Sequence, residues 1–94
     1  MSLVIVIRES EEPFDLLALA ARERDHGGCL TLRDVKFLRS YVSRDRRCTI
    51  CLYDAPDAES VREAEREAGM PVTRVFSADA MEAETIEAML AASE

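Results

Sequence analysis

The stretch VKFLRSYVSRDRRCTICLYDAP, residues 35–56, decides the fold. Two runs rich in β-branched and aromatic residues, 35–42 and 47–54, flank the polar segment 43–46, which predicts two antiparallel strands joined by a turn. If Val42 faces Arg47, the alternation of side chains along a strand divides the hairpin into two faces. One face then carries Val35, Phe37, Arg39, Tyr41, Cys48, Ile50 and Leu52, and the other carries Leu38, Ser40, Val42, Thr49, Cys51 and Tyr53.

A strand and a helix are predicted before the hairpin. Residues 3–7 form a short β-branched run that is apolar on both faces, which is typical of a covered central strand. From Glu12 the pattern becomes helical, because Pro13 suits a first helical position and Gly27 and Gly28 supply a stop. The apolar residues of this helix recur at helical spacing: Phe14, Leu17, Ala18 and Ala21.

Two helices and one strand are predicted after the hairpin. Asp57 is expected to cap a helix that Gly69 and Pro71 end, with Glu59 near its positive end. Residues 72–76 are expected to form the fourth strand, and residues 77–92 a third helix. The expected apolar sides of these helices consist of Val61, Ala64 and Ala68 in the first and Met81, Thr85, Ile86, Met89 and Leu90 in the second.

The predicted order of elements is β-α-β-β-α-β with an appended helix. This order indicates an α+β, ferredoxin-like fold with a four-stranded antiparallel sheet in the order 4-1-3-2. The length predicts one domain, in which residues 1–76 form the ferredoxin-like part and residues 77–94 its C-terminal helical extension. The first and third strands would then be central, and they are the two least polar runs.

The same topology predicts a second copy of the chain. Two helices cover only one face of a four-stranded sheet, whereas the first strand is apolar on both faces. A chain of 94 residues also buries only a modest fraction of its surface. We therefore expect a homodimer of the dimeric α+β barrel type, with the C-terminal helix packed on its own chain or on the partner's.

The charge is unevenly distributed. The formal charge of −7 argues against nucleic acid as a partner, since phosphate binding needs a basic surface. Residues 33–47 nevertheless carry six basic and two acidic side chains. A solvated hairpin whose charges discourage edge-to-edge aggregation accounts for this basic segment. A site for an anion or an acidic partner is the alternative.

The apolar runs and the cysteines indicate a cytoplasmic protein. No run approaches the length of a membrane span, and residues 3–7 are too few for a secretory signal. Three cysteines, an odd number without a secretion signal, are expected to stay free thiols. Cys48 and Cys51 form a C-x-x-C motif, but an odd separation on a strand places them on opposite faces. They are therefore expected to be two small residues of the sheet and not a metal or redox pair.

His26 and Cys29 are a weak candidate pair for binding a metal. Imidazole and thiolate three residues apart are two ligands that a soft or borderline metal accepts. Such a site needs further ligands, which Asp25 or a partner chain would supply. A lone histidine at the end of a helix more often interacts with the helix dipole.

A small anionic ligand is the other candidate. Arg39 shares its predicted face with apolar side chains, so it either extends to solvent or, if it is interior, needs a carboxylate or an anion. Tyrosine hydroxyls on the two strands add polar groups to a cavity there. The candidate ligand-binding residues are Arg39, Tyr41, Asp45, Arg46 and Tyr53.

Several short motifs carry a resemblance to a known family. They are LRSY (38–41), Ser43 with the pair at 45–46, CLY (51–53), APDAESVR (55–62) and AGMP (68–71). In these motifs the segment 35–71 closely resembles a family of small proteins of unassigned function that includes nickel-binding members with a dimeric ferredoxin-like fold. The resemblance covers most of the chain and implies that fold and a dimer, while residues 77–94 extend beyond the usual end of the family.

The resemblance also implies nickel as a cofactor. The nickel-binding members use histidines on the first strand and just after the AG pair that closes the second helix. In this chain residues 3–8 contain no histidine, and Met70 follows Gly69. A thioether is a poor ligand for Ni²⁺, so the residues themselves predict no resident cofactor.

Three functions agree with these patterns. The favoured one is a non-enzymatic homodimeric module that binds a small ligand or a partner at the sheet cavity or the basic hairpin. The second is a metal-binding protein that uses His26, Cys29 and carboxylates. The third is a cofactor-independent oxygenase or isomerase of the dimeric-barrel type, with acid-base groups drawn from Arg39, Tyr41, Asp45 and Tyr53, and it rests on fold analogy alone.

Overall fold

The computed structural model describes residues 1–25 and 33–94. The described elements follow one another as β1 (Ser2–Glu9), α1 (Leu16–Asp25), β2 (Lys36–Val42), β3 (Cys48–Ala55), α2 (Ala58–Glu67), β4 (Arg74–Ala78) and α3 (Ala83–Ala92). This is the predicted β-α-β-β-α-β order with an additional C-terminal helix. Within these ranges, no helix combines the length and the hydropathy needed to cross a bilayer.

The four strands form one antiparallel sheet in the order β2-β3-β1-β4. β1 pairs with β3 over its whole length, from Ser2 opposite Ala55 to Glu9 opposite Cys48, and with β4 on its other side. The predicted ferredoxin-like α+β fold and its strand order are confirmed. The central positions of β1 and β3 explain why they are the least polar strands, since each is flanked by two neighbours.

The hydrophobic core lies between the sheet and α2. Val4 and Val6 of β1 and Tyr53 of β3 point to this face and are fully buried. α2 places Val61 and Ala64 against them, and both are also fully buried. The small alanine lets the helix approach the sheet closely, which is why a narrow apolar stripe is sufficient to bury this face.

α2 begins and ends as the sequence predicts. The Asp57 carboxylate accepts hydrogen bonds from the backbone N–H of Ser60 at 2.7 Å and from its hydroxyl at 2.8 Å. These bonds favour the ionised form and lower the pKa of Asp57 below its ordinary value. After the helix, Gly69 has φ +69°, a left-handed conformation that favours glycine.

The register of the hairpin differs from the predicted one. Val42 pairs with Thr49 and not with Arg47. The shift is two residues, and because side chains alternate with a period of two, residues 39–42 and 48–53 keep their predicted faces.

A second difference lies further along β2. The prediction that Val35 and Phe37 share a face with Arg39 is wrong, because the register shifts by one residue between Phe37 and Arg39, as at a β-bulge. Phe37 consequently pairs with Tyr53, and the two rings meet edge to face with centroids 5.5 Å apart. Val35 is buried in the hydrophobic core.

α1 begins four residues later than predicted. Asp15 Oδ1 accepts the backbone N–H of Leu17 at 3.0 Å and of Ala18 at 3.2 Å, which is the arrangement of an N-terminal cap. The helix therefore begins at Leu16 and not near Glu12.

α1 also packs more loosely than its pattern predicts. Leu17, expected on the apolar side, is 82% exposed, and no residue of α1 is fully buried. The segment that leads into the helix is held by the hairpin turn, since the backbone N–H of Phe14 donates to the carbonyl of Arg46 at 2.6 Å. α1 thus covers part of the sheet without closing on it.

α3 extends away from the sheet. Every residue from 79 to 94 is exposed, and α3 packs against no other helix or strand of the described ranges. The prediction of a helix over 77–92 holds for Ala83–Ala92, while Ser77 and Ala78 complete β4.

The second face of the sheet is not covered by any described helix, and we call it the open sheet face. Arg39 and Tyr41 lie at its β2 edge, and the Arg74 guanidinium lies 5.1 Å above the Phe76 ring at its β4 edge. Its apolar residues, all half-buried or exposed, are Leu3, Ile5, Ile7, Ile50, Leu52 and Phe76.

Candidate functional site

A charged pair lies inside the core between β1 and α2. The Arg8 guanidinium donates to the Glu65 carboxylate, with 2.6 Å between Nη2 and Oε2. Both side chains are almost completely removed from solvent. Nε of Arg8 also donates to the backbone carbonyl of Pro71 at 3.0 Å. The pair therefore joins β1, α2 and the segment that follows α2.

Tyr53 and Glu23 extend this pair into a cluster. The Tyr53 hydroxyl lies 3.0 Å from Oε1 of Glu65 and within 3.4 Å of both carboxylate oxygens of Glu23. Oε1 of Glu23 lies 3.7 Å from Nη1 of Arg8. We call Arg8, Glu23, Tyr53 and Glu65 the buried polar cluster, and it connects β1, β3, α1 and α2.

The surroundings of the cluster fix its protonation. Burial raises the pKa of Tyr53 above its ordinary value, and the carboxylates of Glu65 and Glu23 raise it further, because a phenolate beside them is disfavoured. Burial is the largest single effect and would lower the pKa of Arg8, but its interactions with Glu65, Cys51 and Tyr53 together outweigh burial, and the pKa rises. The cluster thus keeps a neutral phenol and a charged guanidinium.

Cys51 borders the cluster. Its Sγ accepts hydrogen bonds from Nη1 of Arg8 at 3.1 Å and from the hydroxyl of Ser40 at 2.9 Å. Cys51 is buried on the helix-covered face, whereas Cys48 is half-buried and pairs with Glu9 at the end of β1. The structure places the two free thiols on opposite faces, as the odd spacing predicts.

A cavity of about 340 Å³ lies between α1 and the strands β2 and β3. Its volume is at the lower end of the range for small-molecule sites, roughly 300–1,000 Å³. Glu23, Ser40 and Cys51 are the lining residues with polar or sulfur atoms, and Glu23 and Cys51 also contact the other members of the buried polar cluster. Its remaining walls are apolar and consist of Leu16, Leu19, Ala20, Phe37 and Val42.

The residues predicted to bind a ligand do not form one site. Arg39 and Tyr41 lie together on the open sheet face, with Nη1 3.4 Å from the phenol oxygen. Tyr53 faces the opposite side of the sheet and belongs to the buried polar cluster. Asp45 and Arg46 lie in the turn between β2 and β3, where both are exposed.

Asp45 organises that turn. Its carboxylate accepts the Ser43 hydroxyl at 2.6 Å and the backbone N–H of Arg47 at 3.0 Å. These two bonds lower the pKa of Asp45 below its ordinary value. Arg46 follows in the left-handed conformation, with φ +61°. The turn is held by the local hydrogen bonds of Asp45.

Several side chains at the cavity and the cluster were not predicted as site residues. Arg8 lies on the same side of β1 as its buried valines, and Glu65 lies one helical turn after Val61, so periodicity alone indicates their burial. Glu23 and Ser40 carry no comparable signal in the sequence. Their positions depend on how α1 crosses the sheet.

The structure offers no evident metal centre in the ranges it describes. Among residues 1–25 and 33–94, no group of three or more histidine, cysteine, aspartate or glutamate side chains is arranged to hold a metal ion. The predicted metal candidates His26 and Cys29 lie outside the described residues.

The family resemblance implies nickel ligands on the first strand and just after the AG pair, and the residues at those positions do not fit that ion. The polar side chain that β1 buries is Arg8, and its guanidinium is bonded to Glu65. Met70 is buried, and it precedes Pro71, whose carbonyl accepts a hydrogen bond from Arg8. The fixed positive charge of Arg8 repels a cation. The thioether of Met70 is a poor ligand for Ni²⁺, which prefers nitrogen and oxygen donors.

A family model and a solved structure both agree with this fold. A family model described as nickel responsive protein SCO4226-like matches residues 5–77, which include most of β1 and end before α3. No curated protein matches the chain significantly.

A solved structure has the same architecture. The chain superposes on the crystal structure of SCO4226 from Streptomyces coelicolor A3(2) with a TM-score of 0.76 and 14% sequence identity. The superposition covers 86% of this chain and 100% of that one. At this identity the likeness demonstrates a shared fold.

Proposed function

The chain belongs to the SCO4226-like family of nickel responsive proteins, and we propose that within this family it is a homodimeric, non-enzymatic member that binds a small apolar molecule. The observation that carries this proposal is the cavity of about 340 Å³ beneath α1. The cytoplasm is the proposed location, where Cys48 and Cys51 remain free thiols.

The lining of the cavity indicates the class of ligand. Leu19 and Phe37 belong to apolar walls, while Glu23 and Ser40 place a carboxylate and a hydroxyl at one end. Apolar walls with a few polar groups that fix orientation are typical of small-molecule sites. An apolar ring with one hydrogen-bond donor directed at that end matches this lining.

The attachment of α1 supports access to the cavity. No residue of α1 is fully buried; Arg22 donates to the carbonyl of Gly69 at 3.0 Å, and Glu23 lies within 3.4 Å of the Tyr53 hydroxyl. An element with little buried apolar surface opens at a low free-energy cost. A small displacement of α1 therefore admits a ligand without unfolding the core.

The bonding of the buried polar cluster supports a binding role over catalysis. Arg8, Tyr53 and Glu65 bind one another, and none of the three lines the cavity. The raised pKa of Tyr53 makes its phenol a poor general acid or base near neutral pH.

The open sheet face supports the homodimer. Ile5, Ile7 and Leu52 line its centre, and the exposed Ile50 and Tyr41 lie beside them. Sheets pack face to face at about 10 Å, so a second copy covers this surface directly. The expectation of a small anionic ligand near Arg39 and Tyr41 stays a prediction. Both residues lie on the face proposed for the dimer.

The ligand proposal is tested by titrating the ¹⁵N-labelled protein with indole, an apolar ring with one N–H donor. We expect saturable amide shifts in residues 16–23 and 37–42. Ala20→Phe, which fills the cavity, should weaken indole binding at least tenfold. Ala18→Phe is the matched control, because Ala18 is exposed on the same helix and does not line the cavity.

Either of two results would contradict the ligand proposal. One is the absence of saturable shifts in the wild type at millimolar indole. The other is equal affinity in Ala20→Phe and the wild type, with spectra that show both variants folded.

Metal binding is the alternative function, and the description of the family as nickel responsive favours it. Calorimetric titration with Ni²⁺ tests it, repeated on His26→Ala. Micromolar binding in the wild type that His26→Ala abolishes would support the metal function. Absence of binding at micromolar Ni²⁺ would exclude it.

A further inference from the structure

α3 presents an apolar stripe that nothing in the described structure covers. Ile86, Met89 and Leu90 lie at helical spacing on one side of it, and they are 41%, 57% and 62% exposed. Met81, just before the helix, is 62% exposed. A helix of ten residues with this composition gains stability chiefly by burying such a stripe.

The segment that contains α3 is strongly acidic. Residues 77–94 carry five carboxylate side chains and no basic one. Glu87 lies beside the apolar stripe, and Glu82, at the N-cap, lies one turn before Ile86 on the stripe's side. In the described ranges, none of these five carboxylates forms an ion pair within 4 Å.

The open sheet face and the adjoining hairpin have the opposite charge. Arg39 lies at the β2 edge of this face, and the hairpin turn beside it carries Arg44, Arg46 and Arg47. All four are exposed, and in the part of the chain that is described none of their guanidinium groups forms an ion pair with a carboxylate within 4 Å. An acidic helix therefore meets complementary charge at this edge.

The chain's own shape favours a second copy as the surface that α3 covers. The molecule measures 49 × 33 × 18 Å, which is long and flat, because α3 extends away from the sheet. Among residues 1–25 and 33–94 of one chain, the apolar stripe and the open sheet face therefore remain uncovered together. In a twofold dimer, each α3 covers the other chain, so both surfaces are buried at once.

We propose that α3 docks on the open sheet face of a second copy of this chain. Its stripe packs against Tyr41 and Ile50 of the partner, on the β2 side of that face, and Glu82 and Glu87 face the partner's Arg39 and hairpin turn. Sheet-to-sheet contact through the β1 and β4 side completes the interface. The inference rests on the proposed homodimer and adds a helix that lies beyond the family match.

Sedimentation equilibrium tests this docking with paired variants of α3. Ile86→Ser combined with Leu90→Ser should raise the dimer dissociation constant at least tenfold, because the stripe is removed. Ala88→Ser combined with Ala91→Ser is the matched control on the other side of α3, and it should change the constant less than threefold. Circular dichroism and amide spectra verify that all variants keep the fold.

Charge reversal gives a second, independent test. Glu82→Arg with Glu87→Arg should weaken the dimer at 50 mM salt, as should Arg39→Glu with Arg44→Glu. Combining all four substitutions should restore most of the lost affinity, since opposite charges again face each other.

The outcomes separate the two proposals. A stable wild-type dimer that the stripe variant leaves unchanged would overturn the docking of α3 while the homodimer stands. That result would indicate that α3 packs on its own chain or on a different protein. A wild type that remains monomeric would overturn both.

Discussion

Glu65 introduces a negative charge into an otherwise apolar helix–sheet contact. Its carboxylate is fully buried and is bonded to both Arg8 and Tyr53. Removing two charges from water is costly, and their attraction repays that cost only when the geometry is good. The pair therefore fixes how α2 lies on β1 more than it adds to stability.

Replacing Glu65 tests this view at the residue scale. Glu65→Gln should lower the free energy of unfolding by about 3 kcal/mol, because it leaves the Arg8 cation buried beside a neutral amide. Glu59→Gln breaks an exposed pair with Arg62 on the same helix and should change it by less than about 1 kcal/mol. Urea unfolding measures both.

A double substitution separates charge from packing. Arg8→Met with Glu65→Leu replaces the pair by apolar side chains of similar size and should recover most of the loss. If Glu65→Gln instead costs no more than Glu59→Gln, the buried pair does not have the role assigned to it.

Tyr53 gives the protein a distinct response to high pH. Its pKa is raised in the folded state by burial and by Glu65, whereas in the unfolded chain it titrates near the ordinary value of about 10. Its contribution is therefore present below about pH 10 and is lost as the pH rises further, because the unfolded state releases the proton first.

We expect the free energy of unfolding to fall by up to about 1.4 kcal/mol per pH unit above pH 10 from this group. Tyr53→Phe should flatten the slope, and Tyr41→Phe, on the exposed face, should not. Urea unfolding between pH 9 and pH 11 measures the slopes. Identical slopes in the wild type and Tyr53→Phe would contradict the assignment.

Individual residues differ in how far the sequence predicts them. The opposite faces of Cys48 and Cys51 follow from the period of a strand alone. The burial of Arg8 follows from the same period, but its pairing with Glu65 does not, because that contact joins residues 57 positions apart. The proximity of Glu23 to Tyr53 is likewise set by the crossing of α1 over the sheet.

At the scale of elements, local signals predict α2 better than α1. α2 has an aspartate cap at one end and a glycine at the other, and the structure uses both. For α1 the helix begins at the cap supplied by Asp15, although Pro13 also suits a helix start. The bulge in β2 carries no clear sequence signal, since it depends on packing Phe37 against Tyr53.

Asp57 tests the contribution of its helix. Asp57→Ala should lower Tm by a few degrees at pH 7, because the N–H of Ser60 loses its acceptor. The difference should disappear as the pH falls through the lowered pKa of Asp57, since the stabilisation belongs to the carboxylate. Thermal unfolding followed by circular dichroism measures both effects.

Glu11→Ala is the control for this prediction, because Glu11 is exposed and precedes α1. It should leave Tm unchanged. An equal loss in both variants, or a difference that persists at low pH, would contradict the cap.

At the scale of the whole molecule, the sequence predicts which surface is left uncovered. Residues 3–7 are apolar on both faces, and the structure covers only one of them with α2 and α1. The described chain therefore presents its open sheet face and the stripe of α3 to solvent together. The cavity beneath α1 has no counterpart in the sequence pattern, because it results from incomplete packing of that helix.

Sedimentation equilibrium of the wild-type protein is the sharpest test of the proposed homodimer. We expect a mass of twice the 10.5 kDa chain at micromolar concentration. We also expect dissociation when Ile50→Lys places a charge in the open sheet face. A mass of one chain at all concentrations up to several hundred micromolar would overturn the proposed homodimer.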